Sequence, residues 1–143
     1  MSCVLRFETC SDEETREVGR QLAALLPEHA VVLLIGELGA GKTTLAKGIV
    51  EARGAANANE VSSPTFTLIH EYGDPAVIYH VDLYRLNTPD EARHLGLEDL
   101  FDSRALALIE WGERFPELLP AERIEIRIEH TGDDGRRIEV TGI

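Results

Sequence analysis

Cysteine is scarce in this chain: only Cys3 and Cys10 occur. Neither stands in a paired C-x-x-C pattern, so two reduced thiols are expected, not a zinc site or a disulfide framework. Long apolar runs are also missing, and none approaches the roughly 18 residues that a membrane-spanning helix needs. The opening segment Met1 to Glu8 lacks the plan of a secretory signal. These absences point to a cytoplasmic protein. Positive charge is in short supply, with 14 Lys and Arg against 26 Asp and Glu and a net charge of −12. Such a field repels nucleic-acid phosphates at long range, so autonomous nucleic-acid binding is not expected. A protein partner with a basic face is compatible with it, and so is solubility alone. Low-complexity tracts, internal repeats and evident linkers are absent. The 143 residues, 43% of them hydrophobic, suit one domain over 1–143 with a real core.

Against this background one segment stands out. Gly36 to Thr43 reads Gly-Glu-Leu-Gly-Ala-Gly-Lys-Thr, a complete G-x-x-x-x-G-K-[ST] phosphate-binding loop. Gly36, Gly39 and Gly41 let backbone N–H groups approach phosphate oxygens without interference from a Cβ. The intervening Glu37, Leu38 and Ala40 contribute backbone to the same cradle. Lys42 is placed to reach the β- and γ-phosphates, and the Thr43 hydroxyl is suited to Mg²⁺. The helix that follows turns its positive N-terminal end toward the same phosphates. Context supports the match. Ala30 to Ile35 is a continuous apolar run, as a strand buried on both faces should be. Thr44 to Ala52 reads as a helix with Leu45, Ile49 and Ala52 on one face and Gly54 as its stop.

The remaining elements follow from pattern. Val4 to Thr9 is expected as a short strand. Ser11 can cap a helix, with Glu14 three residues on in capping-box spacing. That helix is expected to run to about Leu26, with Val18, Leu22 and Leu25 inward. Phe66 to Tyr72 and Val77 to Asp82 are expected as strands forming a hairpin around the turn Gly73-Asp74-Pro75. One helix is expected over Asp90 to Leu100, starting near Pro89, and a buried strand over Ala105 to Glu110. Ile124 to Glu129 and Arg137 to Val140 are expected to pair through a turn at Gly132 to Gly135. Hairpins beside strand–helix units predict an α/β fold: a single mixed β-sheet flanked by helices, of the P-loop NTPase type.

Hydrolysis of a bound triphosphate needs a further acidic group beside the loop. Asp82 and Glu110 each end an apolar strand, at the carboxyl ends where open α/β sheets bind ligands. Thr65, stiffened by Pro64, is placed to sense a γ-phosphate as switch threonines do. His80 falls on the same strand face as Asp82 if pairing is regular. It is either a satisfied core histidine or a hydrogen-bonding neighbour of the site. Trp111, the only tryptophan, is open to three roles: core packing, covering the nucleotide, or meeting a partner. Arg85 can offset phosphate charge or pair with a carboxylate.

Four segments in order resemble the TsaE (formerly YjeE) family: the loop through Thr44, then Ser63-Pro64-Thr65-Phe66, His80-Val81-Asp82-Leu83-Tyr84-Arg85-Leu86, and Ile109-Glu110-Trp111. The likeness spans about Ser11 to Trp111. It implies a small ATPase of tRNA threonylcarbamoyladenosine synthesis that uses ATP and Mg²⁺. The implied partners are TsaB and TsaD, whose assembly is reset by ATP hydrolysis, with tRNA met only through them. By resemblance, Lys42, Thr43 and Thr44 bind phosphate, Thr43 and Glu110 hold Mg²⁺, Asp82 is the motif aspartate and Thr65 the switch threonine. Trp111 falls on the tryptophan that follows the glutamate. The adenine is implied to lie near the N-terminal segment and the C-terminal strands, with Thr9, Ser11 and Arg136 as candidates.

The reaction expected is in-line attack of water on the γ-phosphate, slow in isolation because no evident arginine finger follows the motifs. Asp82 either orients that water or holds a metal-bound one. A small P-loop kinase is the rival enzyme, but Arg85, Arg93 and Arg104 are scattered and do not form a lid. A GTPase is disfavoured by the absence of Asn-Lys-x-Asp. A nucleotide-gated binding module is the rival of a different class.

Overall fold

A computed structural model describes residues 4–37, 39–54, 69–73 and 77–143. Its frame is a seven-stranded sheet in the order β1-β7-β6-β2-β5-β4-β3. The strands are β1 (Val4–Thr9), β2 (Ala30–Ile35), β3 (Ile69–Tyr72), β4 (Ile78–Asp82), β5 (Leu106–Glu110), β6 (Ile124–Gly132) and β7 (Gly135–Thr141). β2 lies parallel to both β5 and β6, and β4 parallel to β5. The β1–β7, β6–β7 and β3–β4 pairs are antiparallel. The sheet is therefore mixed, and its central parallel portion carries the phosphate loop: a P-loop NTPase-like fold.

β2 has no polar residue because it has a face in each of two cores. Val32 and Leu34 point into the core with Leu22, Leu45, Ile49, Ile126 and Ile138. Val31 and Leu33 point to the other face, with Val81, Leu83, Leu97, Ile109 and Phe115. The helices α1 (Asp12–Leu25) and α2 (Lys42–Ala52) cover the first face. The second is covered by α3 (Pro89–Arg93), α4 (Leu97–Asp102) and 3₁₀ turns at Gly112–Arg114 and Pro116–Leu118. Ser11 caps α1 as expected: its hydroxyl accepts from Glu14 N–H, while the Glu14 carboxylate accepts from Cys10 N–H.

α1 and α2 touch backbone to backbone. A methyl group built on Gly48 would lie 2.0 Å from Arg16 O, and one on Gly19 would lie 2.4 Å from Leu45 O. The contact strip is thus narrow, and two expected inward residues fall outside it. Leu25 is 49% exposed, and Leu26, just past the end of the helix, is buried in its place. Ala52 is also exposed, while Leu45 and Ile49 are buried as expected.

The single helix expected over Asp90 to Leu100 is two. Thr88 caps α3 and Pro89 begins it, but Gly96 takes φ +80. A left-handed residue cannot continue a right-handed helix, so the chain turns and α4 starts afresh. The expected strand from Phe66 is described only from Ile69. The hairpin it forms with β4 is present. Among the described residues no helix is long and apolar enough to cross a membrane.

Candidate functional site: a phosphate loop flanked by two strand-end carboxylates

The loop leaves β2 at Gly36 and enters α2 at Lys42. Gly39 (φ +81) and Gly41 (φ +110) take left-handed backbone, which lets the loop fold back on itself. Ala40 N–H donates to Glu37 O, and Leu45 N–H to Gly41 O. No side chain caps α2, and its first turn has no acidic residue. The positive end of the helix thus faces the loop without an internal counter-charge, as an anion site requires.

A cavity of about 490 Å³ opens at this point. Gly39, Gly41, Lys42, Thr43 and Thr44 line it from the loop side, Asp82, Tyr84 and Arg85 from the end of β4, and Glu110 and Trp111 from the end of β5. Asp12 and Arg136 close the α1–β7 side. A separate cavity of about 420 Å³ lies across the loop, lined by Gly36, Glu37, Ala40, Arg127 and neighbours on β6 and β7. Its lining includes none of Lys42, Thr43, Asp82 and Glu110, which all gather at the first.

Asp82 and Glu110 are register partners on adjacent parallel strands, and both are buried. Their pairing brings together two residues 28 positions apart in sequence. Asp82 Oδ1 accepts from Tyr84 N–H at 2.9 Å, and Leu83 N–H donates to Glu110 O. His80 points at Glu110 and not at Asp82: its Nε2 lies 2.5 Å from Glu110 Oε2, in full burial. His80 is therefore both a core histidine and a neighbour of the site. Its Nδ1 has no partner among the described residues.

Lys42 is buried, with Nζ donating to Gly36 O at 2.8 Å and standing 3.7 Å above the Trp111 ring. Burial pulls its pKa below the ordinary lysine value, while Glu110, Glu113 and Asp82 act against that and favour the charge. Trp111 packs on Tyr84 with ring centroids 5.1 Å apart. It is the only non-glycine with positive φ among the described residues, at +66°. Backbone strain of this kind persists where packing over-determines it, commonly at functional sites.

The donor set fits Mg²⁺. Thr43, Asp82 and Glu110 offer hard oxygens. Among the described residues no three His, Cys, Asp or Glu converge to hold an ion alone, and Mg²⁺ is commonly held by one or two carboxylates plus substrate phosphates.

Other expected site residues are placed differently. The Thr9 hydroxyl bonds Thr15 Oγ1 at 2.8 Å, and the Ser11 hydroxyl is engaged in capping α1. Neither is among the residues that line the cavity, although Asp12, next to Ser11 in the chain, is. Arg136 is the register partner of Thr9 and reaches the cavity itself. Thr65, with its Ser63-Pro64-Phe66 surroundings, and Leu38 lie outside the described residues. Three neighbours, Asp12, Tyr84 and Glu113, were not anticipated as site residues. Tyr84 was visible only as part of the motif around Asp82. Glu113 carried no sequence signal, because the 3₁₀ turn that buries it is set by tertiary packing.

The sequence profile of the family described as "Threonylcarbamoyl adenosine biosynthesis protein TsaE" matches residues 9–138. A Bacillus subtilis (strain 168) protein named "tRNA threonylcarbamoyladenosine biosynthesis protein TsaE" is 41% identical over 140 residues, covering 97% of this chain and 86% of that one. A protein of the same name from Streptomyces coelicolor is 43% identical over 136 residues, covering 90% of each. Among solved structures, the crystal structure of YdiB from Bacillus subtilis superposes with a TM-score of 0.79 at 36% identity, covering all of this chain and 88% of that one. With the loop, the paired strand-end carboxylates and these likenesses in agreement, the chain belongs to the TsaE family of tRNA threonylcarbamoyladenosine biosynthesis proteins.

Proposed function

We propose that this chain is a single-domain, cytoplasmic ATPase that hydrolyses ATP with Mg²⁺ and resets a TsaB–TsaD assembly between rounds of A37 modification. It meets tRNA only through those partners. The observation that carries the reading is the convergence of Lys42, Thr43, Asp82 and Glu110 on one cavity at the mouth of the phosphate loop. The family names supply the pathway, and the net charge of −12 suits a protein that leaves the nucleic acid to others.

In this reading the loop amides from Gly36 to Thr44 cradle the phosphates, with Glu37, Leu38 and Ala40 contributing backbone only. Lys42 exchanges the Gly36 carbonyl for phosphate oxygens, which it can do with small movement because Nζ already lies within the loop. Thr43 and Glu110 hold Mg²⁺, which when bound neutralises phosphate charge and orients the chain for in-line displacement. Asp82, fixed by Tyr84 N–H, accepts a hydrogen bond from the attacking water or from a metal-bound one. Charge developing on the γ-phosphoryl oxygens is met by preorganised amides and Lys42. Thr65 completes the γ-phosphate contacts. Trp111 covers the lysine, and Thr9, Ser11 and Arg136 mark the nucleoside end.

The test is multiple-turnover synthesis of threonylcarbamoyladenosine, reconstituted with TsaB and TsaD. Synthesis should stall after early turnovers without this chain, and likewise with Lys42→Ala or Glu110→Ala. Undiminished synthesis in its absence would remove the assignment. Asp82→Ala separates hydrolysis from gating: if it still binds ATP and still supports many turnovers, hydrolysis is not the output.

A further inference from the structure

We infer that Arg114 is a positioning residue for hydrolysis: it clasps the turn after β5 to the turn after β4 and so keeps the Asp82 carboxylate aimed. The inference rests on the reading of Asp82 as the group that orders water for hydrolysis, and it names what holds that group in place.

Asp82 is the last residue of β4, so its carboxylate is aimed by the turn that follows as well as by the sheet. Oδ1 accepts from Tyr84 N–H at 2.9 Å. That N–H belongs to the peptide unit joining Leu83 to Tyr84. The unit is planar and trans, with its carbonyl pointing opposite to its N–H. Whatever fixes Leu83 O therefore also fixes the donor on Asp82. Leu83 O accepts from Leu86 N–H at 3.1 Å, and Arg114 Nη1 lies 3.5 Å from it. The same Nη1 donates to Tyr84 O, the next carbonyl along, at 2.6 Å. One guanidinium nitrogen thus reaches both carbonyls of the turn.

Packing anchors only one side of this turn. Leu83 is fully buried, but Tyr84 is 48% exposed and rests its ring on Trp111. Arg114 supplies the missing hold from a firm base. It ends the 3₁₀ turn Gly112–Arg114, and its N–H donates to Trp111 O at 3.3 Å. Gly112 fixes that turn against the core, since a methyl group built on it would lie 2.9 Å from Leu33 Cδ2 and 3.0 Å from Ile109 Cγ2. A guanidinium keeps its N–H directions fixed in a plane, whereas an ammonium on a flexible stem does not. Lys42, Thr43 and the loop amides come from a different segment, between β2 and α2. Loss of the clasp should therefore disturb the hydrolytic step and spare the hold on phosphate.

ATP hydrolysis and equilibrium ATP binding by the full chain test this, comparing wild type with Arg114→Ala, Arg114→Lys, Asp82→Ala and the double variant Arg114→Ala with Asp82→Ala. Arg114→Ala should lower kcat by about 10- to 100-fold, the scale of a misplaced group at a reacting centre. KM and ATP affinity should stay as in wild type, the mark of an interaction that serves the transition state. Arg114→Lys should recover part of the loss. Adding Arg114→Ala to Asp82→Ala should lower kcat no further, because the two act through one group. Should Arg114→Ala melt below the assay temperature, Arg114→Lys, alone and with Asp82→Ala, carries the same comparisons. A loss of affinity that matches the loss of kcat would make Arg114 a general support of the fold and overturn the inference. An unchanged kcat, or a loss that adds to that of Asp82→Ala, would overturn it equally. Undiminished hydrolysis in Asp82→Ala itself would overturn the reading of Asp82, and the inference with it.

Discussion

His80 Nε2 meets Glu110 Oε2 at 2.5 Å across the β4–β5 pair, with His80 sealed from solvent. Glu110 is thereby held in one orientation from behind, with its carboxylate at the cavity. Partners of this kind commonly change metal affinity by about 10- to 100-fold when removed. His80→Ala should therefore raise the Mg²⁺ concentration needed for nucleotide binding by a factor in that range, while binding without Mg²⁺ changes little. His80→Gln, which keeps a donor, should recover part of it. A Mg²⁺ titration of nucleotide binding reads both, and equal losses with and without Mg²⁺ would refute the positioning role.

Gly48 leaves no room for a Cβ, since backbone at Arg16 O would be 2.0 Å away. Gly48→Ala must push α1 off α2, and overpacking of this kind costs about 1–3 kcal/mol. Because α2 carries Lys42 and Thr43 on its first turn, nucleotide affinity should fall together with the melting temperature. Thermal denaturation checks the first effect, with a drop of roughly 2–4 °C per kcal/mol at this size. An unchanged melting temperature would mean the helices do not pack as closely as described.

These two relationships differ in how far sequence could reach them. The phosphate loop was legible because its chemistry is local: eight consecutive residues, an apolar strand before and a helix after. Asp82 and Glu110 were legible as strand ends, since each closes an apolar run. The His80–Glu110 contact was not, because β4 and β5 pair in parallel across 23 intervening residues of connection, and period-2 reasoning cannot choose a partner. The inward faces of α1 and α2 were misjudged at Leu25 and Ala52 for a related reason. Two glycines, Gly19 and Gly48, set a narrow contact, and nothing in either helix alone reveals the other. The break at Gly96 was legible in principle, but a lone glycine within a helical pattern is also tolerated, at about 1 kcal/mol.

Arg53 closes the far end of the same helix pair. Its Nε donates to Ala23 O at 3.2 Å, and Nη2 to Leu26 O at 2.6 Å and to Pro27 O at 3.1 Å. α1 has no basic residue in its last turn, so a cation from α2 meets carbonyls that would otherwise lack partners. Arg53→Ala should cost about 1–3 kcal/mol, and Arg53→Lys less, since an ammonium cannot span three carbonyls as a fork does. Urea unfolding measures both. A loss below about 0.5 kcal/mol, the range of ordinary surface substitutions, would show that water satisfies these carbonyls equally well.

Glu113 predicts a pH dependence. Both of its carboxylate oxygens are buried without a partner among the described residues. Burial raises its pKa above the ordinary value of 4.5, against the opposing pull of Lys42, Arg127 and Arg114. Below 4.5 the carboxyl is protonated in folded and unfolded chains alike, and it adds no pH dependence. As pH rises past 4.5 the unfolded chain ionises first, so the folded chain holds more protons and stability falls. Once pH exceeds the raised folded value the loss is complete and constant. Glu113→Gln removes this titration. The stability of the variant relative to wild type should therefore climb from pH 4 upward and then level off, whatever constant offset the amide introduces. Urea unfolding of both chains from pH 4 to 8 tests it. A flat difference would mean Glu113 titrates alike in the two states, and a difference that declines with pH would mean its ionised form is stabilised by Lys42 and Arg127 more than burial opposes it.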